Sequence, residues 1–185
     1  LSKRGAHYVR DAWAAGMKLF TLAASDDHNG QPGKRANGLT AIMAPELTRD
    51  ALLQSMRDGA MYGTTGERIL LDFSANGQPM GSVLSEDVTE LDFRLEVHGT
   101  DGISEIEVYR YVFGEDAEWE PVFHRSGDLG LDFEAEWTAP AVGHAIYYAR
   151  VEQAAPIRVT IPTLQDRPVR AWSSPIWVGE PEIDW

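Results

Sequence analysis

The sequence predicts an α+β chain in two unlike parts. An α/β portion occupies residues 1–65, and an antiparallel, immunoglobulin-like β-sandwich occupies residues 66–185. Three observations predict this. Before Thr65, apolar residues recur at three- and four-residue steps between short apolar runs, the signature of helices alternating with strands. After Gly66 the apolar period becomes two, the signature of half-buried strands. The charge breaks at the same place: up to Thr65 there are 8 Lys+Arg against 6 Asp+Glu, a net of +2. From Gly66 onward there are 8 against 23, a net of −15.

In chain order, Gly5 to Lys18 reads as a helix, because Tyr8, Val9, Ala12, Trp13 and Met17 fall on one face. Gly16 and Lys18 suit its C-terminus. The apolar run Leu19 to Ala24 reads as a buried strand. A loop rich in Gly and Pro follows, from Asn29 to Gly38. Leu39 to Met43 has β character and Pro45 ends it. A second helix starts at Thr48 as N-cap, with Asp50 favourable to its dipole, Leu52, Leu53 and Met56 as its buried stripe, and Gly59 at the C′ position.

Strands are then predicted at Ile69–Phe73, Leu91–Val97, Ile103–Val112, Trp119–Phe123, Leu131–Trp137, Ala145–Val151 and Ala171–Val178, with Asn76-Gly77 as a tight turn. Residues 156–168 interrupt the pattern as a long loop or edge excursion.

Composition narrows the function classes. At 185 residues and 43% hydrophobic, the chain has ample material for a core. No apolar run approaches the roughly 20 residues of a membrane span, so a soluble protein is expected, either cytoplasmic or periplasmic. The start at Leu1 reads as that of a fragment or a processed chain. The absence of cysteine excludes disulfides, thiolate metal sites and a cysteine nucleophile. An acidic surface repels phosphate backbones, which argues against nucleic-acid binding. No nucleophile elbow, zincin helix, phosphate-binding loop or dinucleotide fingerprint is present.

The chemistry concentrates in Ser25-Asp26-Asp27-His28. Side chains two apart on an extended segment point the same way, so Asp26 and His28 project together while Asp27 faces the other side. A carboxylate oxygen and an imidazole nitrogen form half of a hydrolytic metal site. Lys34 and Arg35 on the following loop, and Arg68 further on, are candidates to meet an anionic substrate. His7, His98, His124 and His144 read as ordinary surface or β-region histidines, and the tryptophans as core.

The runs Ala23–His28, Pro32-Gly33, Gly38–Ala41, Ala44-Pro45, Thr48-Arg49 and Tyr62–Arg68, continued by Asn76-Gly77, Met80-Gly81, Tyr147–Arg150 and Ala171–Val178, resemble the C-terminal part of PHP-superfamily (polymerase and histidinol phosphatase) metal-dependent hydrolases. The resemblance is nearest to a bacterial branch that includes carbaryl-hydrolase-like enzymes. It implies that residues 1–65 are the end of a distorted (β/α)7 barrel, with two or three divalent ions (Zn, Mn or Fe) at its mouth. There a metal-bound hydroxide attacks an ester, usually a phosphoester.

In that scheme Asp26 and His28 are the last Asp-x-His ligand pair. The family's earlier His-x-His and further ligands have no counterpart here, so the resemblance implies an N-terminal remainder of the barrel before Leu1 and little hydrolysis from this chain alone. Exposed barrel edges would favour a homo-oligomer. The alternative expectation is a non-catalytic β-sandwich module for binding or oligomerisation.

Overall fold

A computed structural model of the chain describes residues 8–25, 28, 30, 33, 37–115, 117–156 and 167–180. The elements are α1 (Val9–Ala14), β1 (Leu39–Ile42), α2 (Arg49–Arg57), β2 (Met61–Thr64), β3 (Leu70–Ala75), β4 (Gln78–Pro79), β5 (Val83–Leu84) and β6 (Glu90–His98). They continue with β7 (Ile103–Val112), β8 (Trp119–Ser126), β9 (Asp132–Pro140), β10 (Ala145–Gln153), β11 (Val169–Ser173) and β12 (Ile176–Val178).

The strands form an eight-stranded and a four-stranded sheet. In the larger, β10 is the hub: β7 lies along one side of it, with β8 beyond. Its other side is served by two consecutive segments, β11 against Arg150–Gln153 and β12 against Ala145–Tyr147. Pro175, which has no N–H to give a ladder, falls in the break between them. The smaller sheet runs β4-β3-β6-β9. Asn76 and Gly77 both adopt positive φ (51° and 71°) in the turn between β3 and β4, the backbone that a two-residue hairpin turn demands.

The two sheets share one core. Leu91, Phe93, Leu95 and Val97 alternate inward from β6, and Ile106, Val108, Tyr147, Ala149 and Val151 face them from β7 and β10. Aromatic contacts cross the interface: Phe93 meets Tyr147 at 5.2 Å, and Phe123 stacks on Trp137 at 4.3 Å. Ile146, Tyr148 and Trp177 point to the opposite face of the large sheet, where Trp13 of α1 and the partly buried Leu19 and Phe20 cover them. The centre of β10 is thus buried on both faces, as in a sheet with layers above and below.

This architecture corrects the expected fold class. A (β/α)7 barrel needs parallel neighbours joined by crossover helices. Here β1 and β2, on either side of α2, pair antiparallel with Ile42 opposite Met61, and Met43 N–H donates to Ala60 C=O at 2.8 Å. They form a hairpin with a helix in its loop. β2 then pairs antiparallel with β11, so the large sheet runs continuously from residues 39–42 and 61–64 into the C-terminal strands. The chain is β-rich rather than α+β, with no barrel among the described residues. A parallel β5–β12 pair also departs from the purely antiparallel sandwich expected.

Two local expectations change as well. Within the described residues the first helix is only Val9–Ala14, and Gly16 follows at φ 84°. The run Leu19–Ala24 pairs with no strand. It is held by side-chain hydrogen bonds instead. The predicted long loop at 156–168 lies mostly outside the described residues.

Candidate functional site

The segment leading into Asp26 and His28 crosses the surface of β2 and is fastened at two points. Thr21 N–H donates to Ser174 Oγ at 3.0 Å, and the Thr21 hydroxyl donates to the Ser173 carbonyl at 2.8 Å. Ser174 Oγ in turn donates to the Met61 carbonyl at 2.6 Å, and both serines are fully buried. Two residues on, the Thr40 hydroxyl accepts from Ala23 N–H at 3.0 Å and donates to Ala23 C=O at 2.7 Å, doing for this residue what a neighbouring strand would do. Gly63 is required beneath it, because a Cβ there would stand 2.9 Å from Ala23 Cβ.

The described ends of the loop that follows lie side by side. A Cβ on Gly38 would lie 2.6 Å from the Ala24 carbonyl oxygen, so the chain leaves at Ala24 and returns at Gly38 in backbone contact. His28, between these two ends in sequence, is exposed. Asp26, Lys34 and Arg35 lie outside the described residues. Arg68 is exposed, and with Gly66, Glu67 and Thr100 it lines a cleft of about 150 Å³ whose other wall includes Gly33. The loop after the Asp-x-His motif and the Thr64–Arg68 turn, some thirty residues apart in sequence, therefore meet at one cleft.

The donor types of Asp26 and His28 suit a hydrolytic divalent ion, but their number does not complete a site that needs three or four protein ligands. Among the described residues His28 belongs to no group of three or more His and acidic donors.

One group of three donors does lie close together elsewhere: Glu105, Glu107 and His124, on the outer face of the large sheet. The strand register explains it, since Arg150, Glu107 and His124 are direct neighbours across β10, β7 and β8. The carboxylates are already taken. Arg150 Nη2 pairs with Glu105 and, at 2.6 Å, with Glu107, while the Tyr109 hydroxyl donates to Glu107 at 2.8 Å. Burial first, and Glu107 second, push the Tyr109 phenol up to about 12. A guanidinium occupies the position a cation would need, so this is an ion-pair network. The alternation Glu105-x-Glu107-x-Tyr109 was visible in the sequence; the partner Arg150, on a strand over forty residues away, was not.

The remaining described histidines are also placed. His98 bridges Asp132 (2.7 Å) and Glu96 (3.0 Å) on the outer face of the small sheet, and its pKa is raised by the Asp132 and then the Glu96 hydrogen bond. His144 stacks on Phe113 at 4.3 Å, and its buried Nε2 has no hydrogen-bond partner.

No family model matches the chain, and no solved structure matches it. It is similar to proteins described as uncharacterized in Chlamydia trachomatis (32% identity over 151 residues) and Chlamydia muridarum (33% over 156). A protein of Chlamydia pneumoniae, also described as uncharacterized, is 31% identical over 157 residues. Each match covers 76% of this chain and 22% of the relative. The chain thus spans about a fifth of the length of the curated relatives it matches.

Proposed function

We propose that the chain is a segment of a metal-dependent hydrolase acting on phosphoesters or other esters. It contributes Asp26 and His28 to a divalent-metal centre whose other ligands lie outside it. The observation that supports this reading is the fastening of residues 21–23 by Ser173, Ser174 and Thr40, followed by the backbone contact of Ala24 with Gly38. A ligand pair is useful only where its backbone is held, because metal geometry tolerates little displacement. The β-rich body acts as the buttress. Arg68, at the cleft shared with Gly33, is positioned to meet the anionic group of an ester, with Lys34 and Arg35 as further candidates on the loop.

The test is metal content by plasma mass spectrometry after dialysis, made on a protein of the relatives' length that carries this segment and on its Asp26→Ala/His28→Ala variant. Near-stoichiometric zinc, manganese or iron that is lost in the variant, together with hydrolysis of nitrophenyl phosphate or acetate esters, is the expected result. A dialysed wild-type protein without metal would refute the reading.

A second reading, a non-catalytic binding module, is favoured by one observation. A groove on the outer face of the large sheet is lined by Arg10, Arg150 and Arg170 together with aromatic rings.

A further inference from the structure

That groove has about 460 Å³ of space, within the range of small-molecule sites. One wall is α1, through Tyr8, Arg10 and Trp13; the floor is Tyr109, Tyr148 and Trp172 on β7, β10 and β11. Thr21, Leu22 and Ala23 form part of its rim. No Asp or Glu is among the described lining residues, in a chain whose net charge is −13. The described lining thus combines arginines with aromatic rings.

The arginines are oriented rather than loose. Arg150 is held from behind by Glu105 and Glu107, and Arg170 Nε donates to Glu152 at 2.6 Å. None of these glutamates lines the groove. They fix the guanidinium planes, and they also offset much of the charge. The groove is thus poorly suited to attract a bare ion from a distance and well suited to give directed hydrogen bonds to an anionic head already close by.

The rings supply the other half of the recognition. Tyr109 stacks on Tyr148 at 5.4 Å, and Trp13 packs on Tyr148 at 5.2 Å, while Tyr8 is 70% exposed and Leu22 62% exposed at the mouth. Trp13 and Tyr148 are themselves nearly buried, so the surface a planar apolar body can lie against is that of Tyr8, Leu22 and the half-buried Tyr109 and Trp172.

We propose that this groove binds a small organic anion with a planar body, an aryl phosphate or aryl carboxylate, between the arginines and the aromatic floor. The inference does not rest on the metal-centre reading, since none of its residues is a ligand candidate.

The test is calorimetric titration of the chain with phenyl phosphate and with phenylacetate, using inorganic phosphate and benzyl alcohol as controls. Both aryl anions are expected to bind, each about tenfold or more tighter than the control that lacks its ring or its charge. Arg10→Gln, on an exposed helix position, and Trp172→Ala should each weaken binding about tenfold. Arg10→Gln gives up its hydrogen bond to Tyr148 and should lower the unfolding midpoint by no more than about 4 °C. Binding of only one of the two anions supports the site and identifies its head group. Equal binding of benzyl alcohol would reduce the groove to an apolar slot and overturn the proposal, as would equal binding of inorganic phosphate. So would silence from both aryl anions at millimolar concentration, or full affinity in both variants.

Discussion

Ser174→Ala tests whether the candidate loop is held by the hydrogen bonds that fasten its leading segment. The hydroxyl has two partners: it accepts from Thr21 N–H and donates to the Met61 carbonyl. Met61 keeps a second donor in the variant, because Ser174 N–H also reaches its oxygen at 3.2 Å. Thr21 N–H keeps none, and Thr21 is 92% removed from solvent, being 8% exposed. The orphaned donor costs about 1–3 kcal/mol. The missing oxygen leaves a small void worth about 0.5 kcal/mol. The sum is about 2 kcal/mol, or about 4–8 °C in Tm for a domain of this size.

Urea unfolding followed by tryptophan fluorescence measures it, and the denaturant slope should not change. Thr21→Val, which removes the donor to Ser173, should cost about 1 kcal/mol alone. The double variant should cost less than the two singles together, since both act on the same fastening. A loss below about 0.5 kcal/mol for Ser174→Ala, or full additivity, would mean that the segment is held by something else.

Two further outcomes follow from the geometry. Gly59 ends α2 at φ 70°, and a Cβ there would meet the Phe20 ring at 2.2 Å. Gly59→Ala should cost at least about 2 kcal/mol in urea unfolding. Gly77→Ala, with φ 71° but open space around it, should cost only about 1. An equal loss at both positions would show that Phe20 moves aside. His98 has a pKa raised in the folded protein by Asp132 and Glu96, so its contribution is fully present below the ordinary imidazole value near 6.5 and is lost as pH rises through the folded pKa. Proton NMR should find its midpoint above 6.5, and His98→Gln should flatten the fall in stability over that window. A midpoint at or below 6.5 would contradict the paired geometry.

The strands were legible where one face is wet. Leu91-x-Phe93-x-Leu95-x-Val97 alternates because β6 has solvent on its other side, and its position can be read directly from that period. Helix α2 was equally legible: Thr48 accepts from Ala51 N–H and Gly59 follows its last turn, as the capping residues imply.

Pairing was not legible. Leu19–Ala24 has the composition of a buried strand, but burial alone does not specify a ladder. Its partners proved to be the hydroxyls of Thr40 and Ser174 and the backbone carbonyl of Ser173, the two serines some 150 residues away. The barrel expectation failed for the same reason. An αβ pattern around residues 39–64 fits a crossover or a helix-bearing hairpin equally well, and only the register of Ile42 with Met61 separates them. Of the candidate site, Asp26-x-His28 came from local spacing, whereas the Arg150 network and the basic groove depend on contacts between distant strands.

The pairing of β2 with β11 also fixes an order of events. Residues 61–64 have β1 on one side and residues 171–173 on the other, and Thr21 has its hydrogen-bond partners at residues 173 and 174. During synthesis, the first third of the chain leaves the ribosome well before the strand that receives it has been made. The four-stranded sheet, by contrast, draws only on residues 70–140 and can assemble earlier from nearer contacts. The Thr21 fastening can therefore form only once residues 173 and 174 have been made, whereas Ala23 finds its partner, Thr40, seventeen residues on.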